Sequence, residues 1–350
     1  VTGSAGAVEA GALVTLVNAR TGQRVTVTAN ADGSFSATLA GEAGDAVQVY
    51  ATDSATNQGG AASVQATGGP FSGAITFGTS SPANGVTVDG DRLLVSVDLT
   101  APPNTGVTVN DVVAVGVSVG SALRFYAEVP LVTGANALMV KAHGQDGRVA
   151  SRTINVTSRG PFPYRVVADR AGGVTPLKPR LEVWDQSGRG IRQIQIDADN
   201  NGSIDRVLNP GDPIELNYTG VGLRQARVYV FDNALQAHEQ RVSFVLLDLA
   251  TVDRSIQAVW GAMNEALASG DKAMALGFLS EQARENYEPV FDALMPQMPA
   301  IVASYSAPQR SLVMQDYAEY GVNRAVDQTN RVFLIGFVAN QFGMWHIEAM

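Results

Sequence analysis

The 350 residues exceed what one core of ordinary size organises, so two to four domains are expected. There is no cysteine, which excludes disulfides, thiolate metal sites and a cysteine nucleophile. The 33 acidic and 24 basic side chains leave a net charge of −9, which repels phosphate backbones and argues against a nucleic-acid partner.

Glycine is frequent, at 36 residues, and only 16% of the chain is charged. With the Val, Thr, Ser and Ala of the first half, that is the composition of short strands joined by tight turns. No apolar run approaches the ~18 residues that cross a bilayer, so no membrane span is expected in this chain. The chain starts at Val1 without an initiator Met and reads as part of a longer or processed protein.

Residues 1–67 alternate in period two. "ALVTLVN" (12–18) puts Leu13, Thr15 and Val17 on one face, and "QRVTVTA" (23–29) continues the pattern. "ADGSFSATL" (31–39) reads as a hairpin and "DAVQVYATD" (45–53) as a further strand. On "AGALVTLVNA", "ADGSFSATL" and "ATDSATNQG" the segment resembles the bacterial immunoglobulin-like repeats of large surface proteins. That likeness implies a β-sandwich used as a spacer or adhesive stalk.

Residues 71–158 carry "SPANGVTVDGDRLLVSV", "GVTVNDVVA" and "VPLVTGANALMVKAHGQDG", with "PPNTG" (102–106) as punctuation between strands. They resemble a second Ig-like type, likened to glucodextranase domain B, which implies another sandwich and a sugar-rich setting. Residues 159–248 open on the linker "GPFPY" (160–164). The strand-like runs "RLEVWD", "RQIQID", "IELNY", "ARVYVFD" and "RVSFVLLD" follow. This segment resembles the polycystic-kidney-disease-type sandwich.

Residues 249–350 change character. Val252, Ile256, Val259, Trp260, Met263 and Leu267 recur as one face of an amphipathic helix, with Gly270 suited to its C-terminus. Asp271 caps a second helix, and Ser280 starts a third, which Pro296 and Pro299 end. Strands then follow, joined by the turns "DQTN" (327–330) and "NQFG" (340–343). On "ALASGDKAMALGFLSEQARENYEPVF" and "WHI" the segment resembles the SnoaL-like or ketosteroid-isomerase-like cone, which implies helices packed on a curved antiparallel sheet. The expected fold is mainly β, with three tandem Ig-like β-sandwiches followed by an α+β cone-like domain.

One short loop has the look of a metal site. In "DADNNGSID" (197–205), Asp197, Asp199 and Asn201 take positions 1, 3 and 5 of an EF-like calcium loop. Gly202 sits at the sharp turn, Ser203 offers a backbone carbonyl, Ile204 anchors the hydrophobic position and Asp205 takes position 9. Alternate carboxylates around a tight turn converge oxygens on one point, as a hard cation requires. Position 12 is Leu208 instead of a bidentate acid, and the flanks read as strands. Two readings stand: a calcium loop on a hairpin, and an Asx-rich turn whose side chains cap their own backbone.

Other chemistry finds little support. His143, His238 and His346 lie in separate segments without metal-ligand spacing. No nucleophile elbow or phosphate loop is found. Tyr317, Glu319, Tyr320, Arg324 and His346 are the candidates for a cone pocket, but "DYAEYGVNRAV" alternates and splits them between two faces. Trp260 and Trp345 read as core, and Trp184 stays open between core and sugar platform. Lys141 has no identifiable partner for an isopeptide crosslink.

The expectation is a non-enzymatic structural or adhesive segment of a secreted or surface-displayed bacterial protein, acting as stalk or assembly module. Its partner would be a protein, a surface glycan or, through exposed strand edges, further copies of itself. The alternatives are an accessory module of a secreted carbohydrate-active enzyme, and a ligand-binding cone domain on a stalk.

Overall fold

A computed structural model describes residues 1–19, 22–37, 39, 46–65, 71–119, 122–326 and 329–350. Thr38, Asp45, Asp327 and Gln328, which belong to runs quoted above, lie outside the described residues. The fold is mainly β, with sandwich-like pairs of sheets and a helical segment late in the chain. Two compact units form: Val1–Ala74 with Trp260–Tyr305, and Ile75–Val259 with Ser306–Met350. Segment 249–350 is thus shared between them.

In the first unit a four-stranded sheet runs Arg24–Thr28, Leu13–Asn18, Ala46–Thr52, Ala62–Gln65. A small second sheet pairs Thr2–Gly3 with Phe35–Ser36. Period two decides which residues are inside. Val14 and Leu16 are buried with Phe35 and Val47, while Leu13 on the opposite face is exposed. The turn after Asn30 needs Gly33, which has φ +77°, and a Cβ there would lie 2.2 Å from the Val8 carbonyl oxygen.

Helix α1 (Leu249–Ser269) starts in the second unit and ends in the first. All six residues of its expected stripe are buried, Ile256 and Val259 completely. Gly270, at φ +81°, ends it, and the Asp271 amide donates back to the Ala266 carbonyl. Asp271 caps α2 (Lys272–Leu276) by accepting from the Met274 amide, and Ser280 caps α3 (Glu281–Leu294) by accepting from the Ala283 amide. Pro296 and Pro299 do not stop the helical path after Leu294. They open a short 3₁₀ turn and α4 (Met298–Ala303), because the first turn of a helix has no use for the missing N–H.

The second unit holds two sandwiches and a sheet. The first sandwich faces a five-stranded sheet against a four-stranded one, around Val95, Val97, Leu138, Val140 and Ile154. The other faces three strands against five, around Tyr164, Ile196, Val228 and Phe244. Val117 and Tyr126 of the earlier sandwich cluster with Val245 and Leu223 of the later one, so the two share apolar contact. The C-terminal strands Gln309–Val313, Tyr317–Val326, Thr329–Ala339 and Trp345–Ala349 form an antiparallel meander in chain order.

That meander is fastened to the earlier sandwich. Asn104, in the "PPNTG" turn, is 4% exposed and stands at φ +56°, a conformation Asn tolerates better than most residues. Its Nδ2 donates to the Trp345 carbonyl at 3.0 Å and to Gln145 Oε1 at 2.8 Å. Its Oδ1 accepts from the Trp345 amide at 2.7 Å, and its own amide donates to Ser255 Oγ on α1. Beside it the His143 ring stacks on Phe342 with centroids 4.1 Å apart.

Candidate metal centre

The acidic loop joins the strands Gln193–Asp197 and Arg206–Leu208, which pair antiparallel through Ile196 and Arg206. Asp197 closes the first strand and is fully buried, while Asp199 and Asp205 are exposed. The backbone folds over Asp197 through positive φ at Asn200 and Gly202. Asp197 accepts from the amides of Asn201 at 3.0 Å and Gly202 at 2.8 Å. Asp205 accepts from the Ala198 amide and sends its own amide to the Ile196 carbonyl.

This arrangement brings the three expected carboxylates together. One oxygen from each of Asp197, Asp199 and Asp205 lies within 4.8 Å of the others. Asn201 joins them differently: its Nδ2 donates to Asp199, and its Oδ1 accepts from the Ser203 amide. Ser203 is exposed at the tip. Ile204 does not anchor the loop, because it is 42% exposed; the chain leaves the turn through Asp205, and the apolar positions resume only on the paired strand. Leu208 lies opposite Ile194 in that pairing, so no twelfth-position acid reaches the loop.

The chemistry of the donor set fits a hard cation of oxygen preference. Like charges repel by about 1 kcal/mol per pair at 4 Å in water, and by more where solvent is excluded. Arg227, paired across the sheet with Asp197, turns its Nε to Asn200 Oδ1. Tyr218 donates its hydroxyl to the Ala198 carbonyl at 2.7 Å; burial first, and then the charges of Asp199, Asp197 and Asp205, push its ionisation up. The amide contacts also satisfy the Asx-turn reading by themselves, because each carboxylate oxygen can accept one hydrogen bond and still face a cation.

The candidates for a cone pocket separate as alternation requires. Tyr320 is buried between Ala318 and Val322 on one face, which Arg324 shares by register. Tyr317, Glu319 and His346 belong to the other face, where Glu319 accepts from Ser311 Oγ. A partner that sequence reading missed is Asp253 on α1. It accepts from the Tyr320 hydroxyl at 2.5 Å and pairs with Arg310 at 2.8 Å. The apolar neighbours Val252 and Ile256 place that part of α1 inward, but nothing local names Tyr320.

A cleft of about 380 Å³ lies within the second unit, between the earlier sandwich, the start of α1 and the C-terminal sheet. Of its polar lining, Asn104 bonds Ser255 and Trp345, and Thr251 bonds Ser118 and Asp248. Lys141 forms an ion pair with Asp111 at 3.6 Å. His238 meets Asp232 at 3.3 Å, and Trp260 and Trp345 are buried as expected. Trp184 is exposed.

His143 gives a pH prediction. Burial, followed by the Lys141 charge, lowers its pKa against a smaller opposing effect from Asp111. A folded-state pKa below the unfolded value means that the unfolded chain binds the proton more readily. Stability from this group is therefore complete above the unfolded value of about 6.5 and falls as pH drops below it. Denaturant midpoints between pH 7.5 and 5 should decline, and His143→Phe should flatten the decline.

No family model matches the chain, and no curated protein matches it. The chain is similar to several solved structures. They include the fibronectin(III)-like modules of Clostridium thermocellum CbhA, at 17% identity over 50% of this chain and 94% of that one, TM-score 0.19. The Yersinia pseudotuberculosis adhesin InvE aligns at 13% identity over 49% of this chain and 58% of that one, TM-score 0.20. Three N-terminal domains of the bacteriophage RB49 outer capsid protein Hoc align at 9% over 70% and 91%, TM-score 0.23.

Proposed function

We propose that the chain is a non-enzymatic structural and adhesive segment of a secreted or surface-displayed bacterial protein, acting as stalk or assembly module. The observation that carries this reading is where the second unit spends its polar groups. Asn104, Ser255, Thr251 and the Tyr320–Asp253–Arg310 chain hold elements to one another, which suits a part that bears load. The C-terminal sheet is read as a docking element, because alternation splits its polar candidates between two faces. Display of the chain on an anchor in a non-adherent bacterium tests the proposal. Attachment to a protein- or glycan-coated surface, or clumping of the cells, is expected; cells that neither attach nor clump would count against it.

Calcium is part of the same proposal, held by Asp197, Asp199, Asn201 and Asp205 with the Ser203 carbonyl. It would neutralise the clustered carboxylates and stiffen the hairpin. A ligand that binds only the native state stabilises it by RT ln(1 + [L]/Kd), about 2.7 kcal/mol at one hundred times Kd. The melting temperature should rise with calcium and fall with chelator, and Asp199→Asn with Asp205→Asn should abolish the difference. Superimposable melting curves of the wild-type protein would leave the Asx-turn reading alone.

A further inference from the structure

The later sandwich of the second unit carries a groove of about 640 Å³ beside the strand Arg180–Asp185. Its neighbour Ile214–Glu215 pairs with this strand only at Arg180 and Leu181, so the strand's flank opens from Glu182 to Trp184. Arg180, Glu182 and Trp184 alternate outward, and Asp212 also lines the groove. Trp184 is 59% exposed, whereas Trp260 and Trp345 are buried. Its Nε1 donates to Glu182 Oε2 at 3.2 Å, which fixes the indole while leaving ring surface in water.

We propose that this groove binds a neutral polysaccharide, with Trp184 as the stacking platform and Glu182 and Asp212 as acceptors for sugar hydroxyls. The indole face is electron-rich and attracts the C–H bonds of a pyranose face, while its rim can keep polar contacts. Carboxylates accept from neighbouring hydroxyls as pairs. Among the described residues Arg180 is the only cation lining the groove, and it pairs with Glu215 at 2.8 Å; Arg165 stands across from Trp184 on the neighbouring strand, so Glu182, Asp212 and Glu215 leave the wall modestly negative. That balance disfavours uronate or sulfated glycans. The exposed ring carries weight because it lines a groove together with two acceptors; exposure alone would not.

The inference names a partner for the surface-module reading and rests on it for its setting, but a binding assay with the free protein tests it separately. Affinity electrophoresis through galactomannan, xyloglucan and mixed-linkage β-glucan, with polygalacturonate as the anionic control, is the experiment. The intact chain should be retarded by at least one neutral polymer and not by polygalacturonate. Trp184→Ala should weaken that binding at least tenfold with an unchanged melting temperature, and Glu182→Gln should weaken it less. No retardation by any neutral polymer, retardation that survives Trp184→Ala, or preference for polygalacturonate would each overturn the proposal. So would a Trp184-dependent capture of a cationic or proline-rich peptide with no polysaccharide binding, which would make the groove a protein site.

Discussion

Asn104→Ala should unfasten the C-terminal sheet from the sandwich that holds it. The substitution removes two donated bonds and one accepted bond at a position 4% exposed. It leaves the Trp345 amide and carbonyl facing an apolar methyl, and an unpaired buried polar group costs about 1–3 kcal/mol. Two such groups make a loss of roughly 3 kcal/mol the expected order, taking the lower part of that range. Alanine also pays for φ +56°, so Asn104→Gly should be the milder change. Asn104→Asp keeps the acceptor for the Trp345 amide but sets a carboxylate against the Trp345 carbonyl. Amide exchange at Trp345 is the direct readout, because several domains make one global unfolding energy ill defined. Unchanged protection of that amide in Asn104→Ala would show that the node is not what secures the strand.

Trp260→Ala should be the most damaging single change in the first unit. Trp260 is 5% exposed, and its ring lies 5.5 Å from Tyr305. Truncating a buried aromatic forfeits its burial and leaves a cavity, about 3–5 kcal/mol together. The neighbouring Asn264 donates to the Trp260 carbonyl, a bond the substitution leaves in place, so the loss comes from packing. Urea unfolding followed by circular dichroism at helical wavelengths should show an earlier transition. Trp260→Phe, which keeps most of the apolar volume, should recover part of the stability. Equal midpoints for Trp260→Ala and wild type would mean that the helix stripe does not anchor this unit.

How much of this was legible beforehand follows from the range of each interaction. The period-two runs named the strands because alternation is imposed by each strand's own backbone. Val14 and Leu16 are inside and Leu13 outside, although only the tertiary structure says which of the two faces is the core. The stripe from Val252 to Leu267 was legible for the same local reason, as were the caps at Asp271 and Ser280, whose partners lie three residues away. The acidic loop was legible as a convergence of Asp197, Asp199 and Asp205, since the turn that gathers them is nine residues long. Ile204 was misread because the loop follows a hairpin path, in which alternation and turn geometry place it outward.

What only the tertiary structure decided is every contact made at long separation. Asn104 looked like turn punctuation, yet its partner Trp345 is 241 residues away. Tyr320 and Asp253 are 67 residues apart, and the stacking of His143 on Phe342 joins elements from two different segments. The exposure of Trp184 depends on where the strand Ile214–Glu215 stops pairing. A local pattern states which face of an element is apolar. It does not state which other face will cover it, because that choice belongs to the packing of whole elements, where the apolar rule accepts many partners and buried hydrogen bonds such as those of Asn104 accept few.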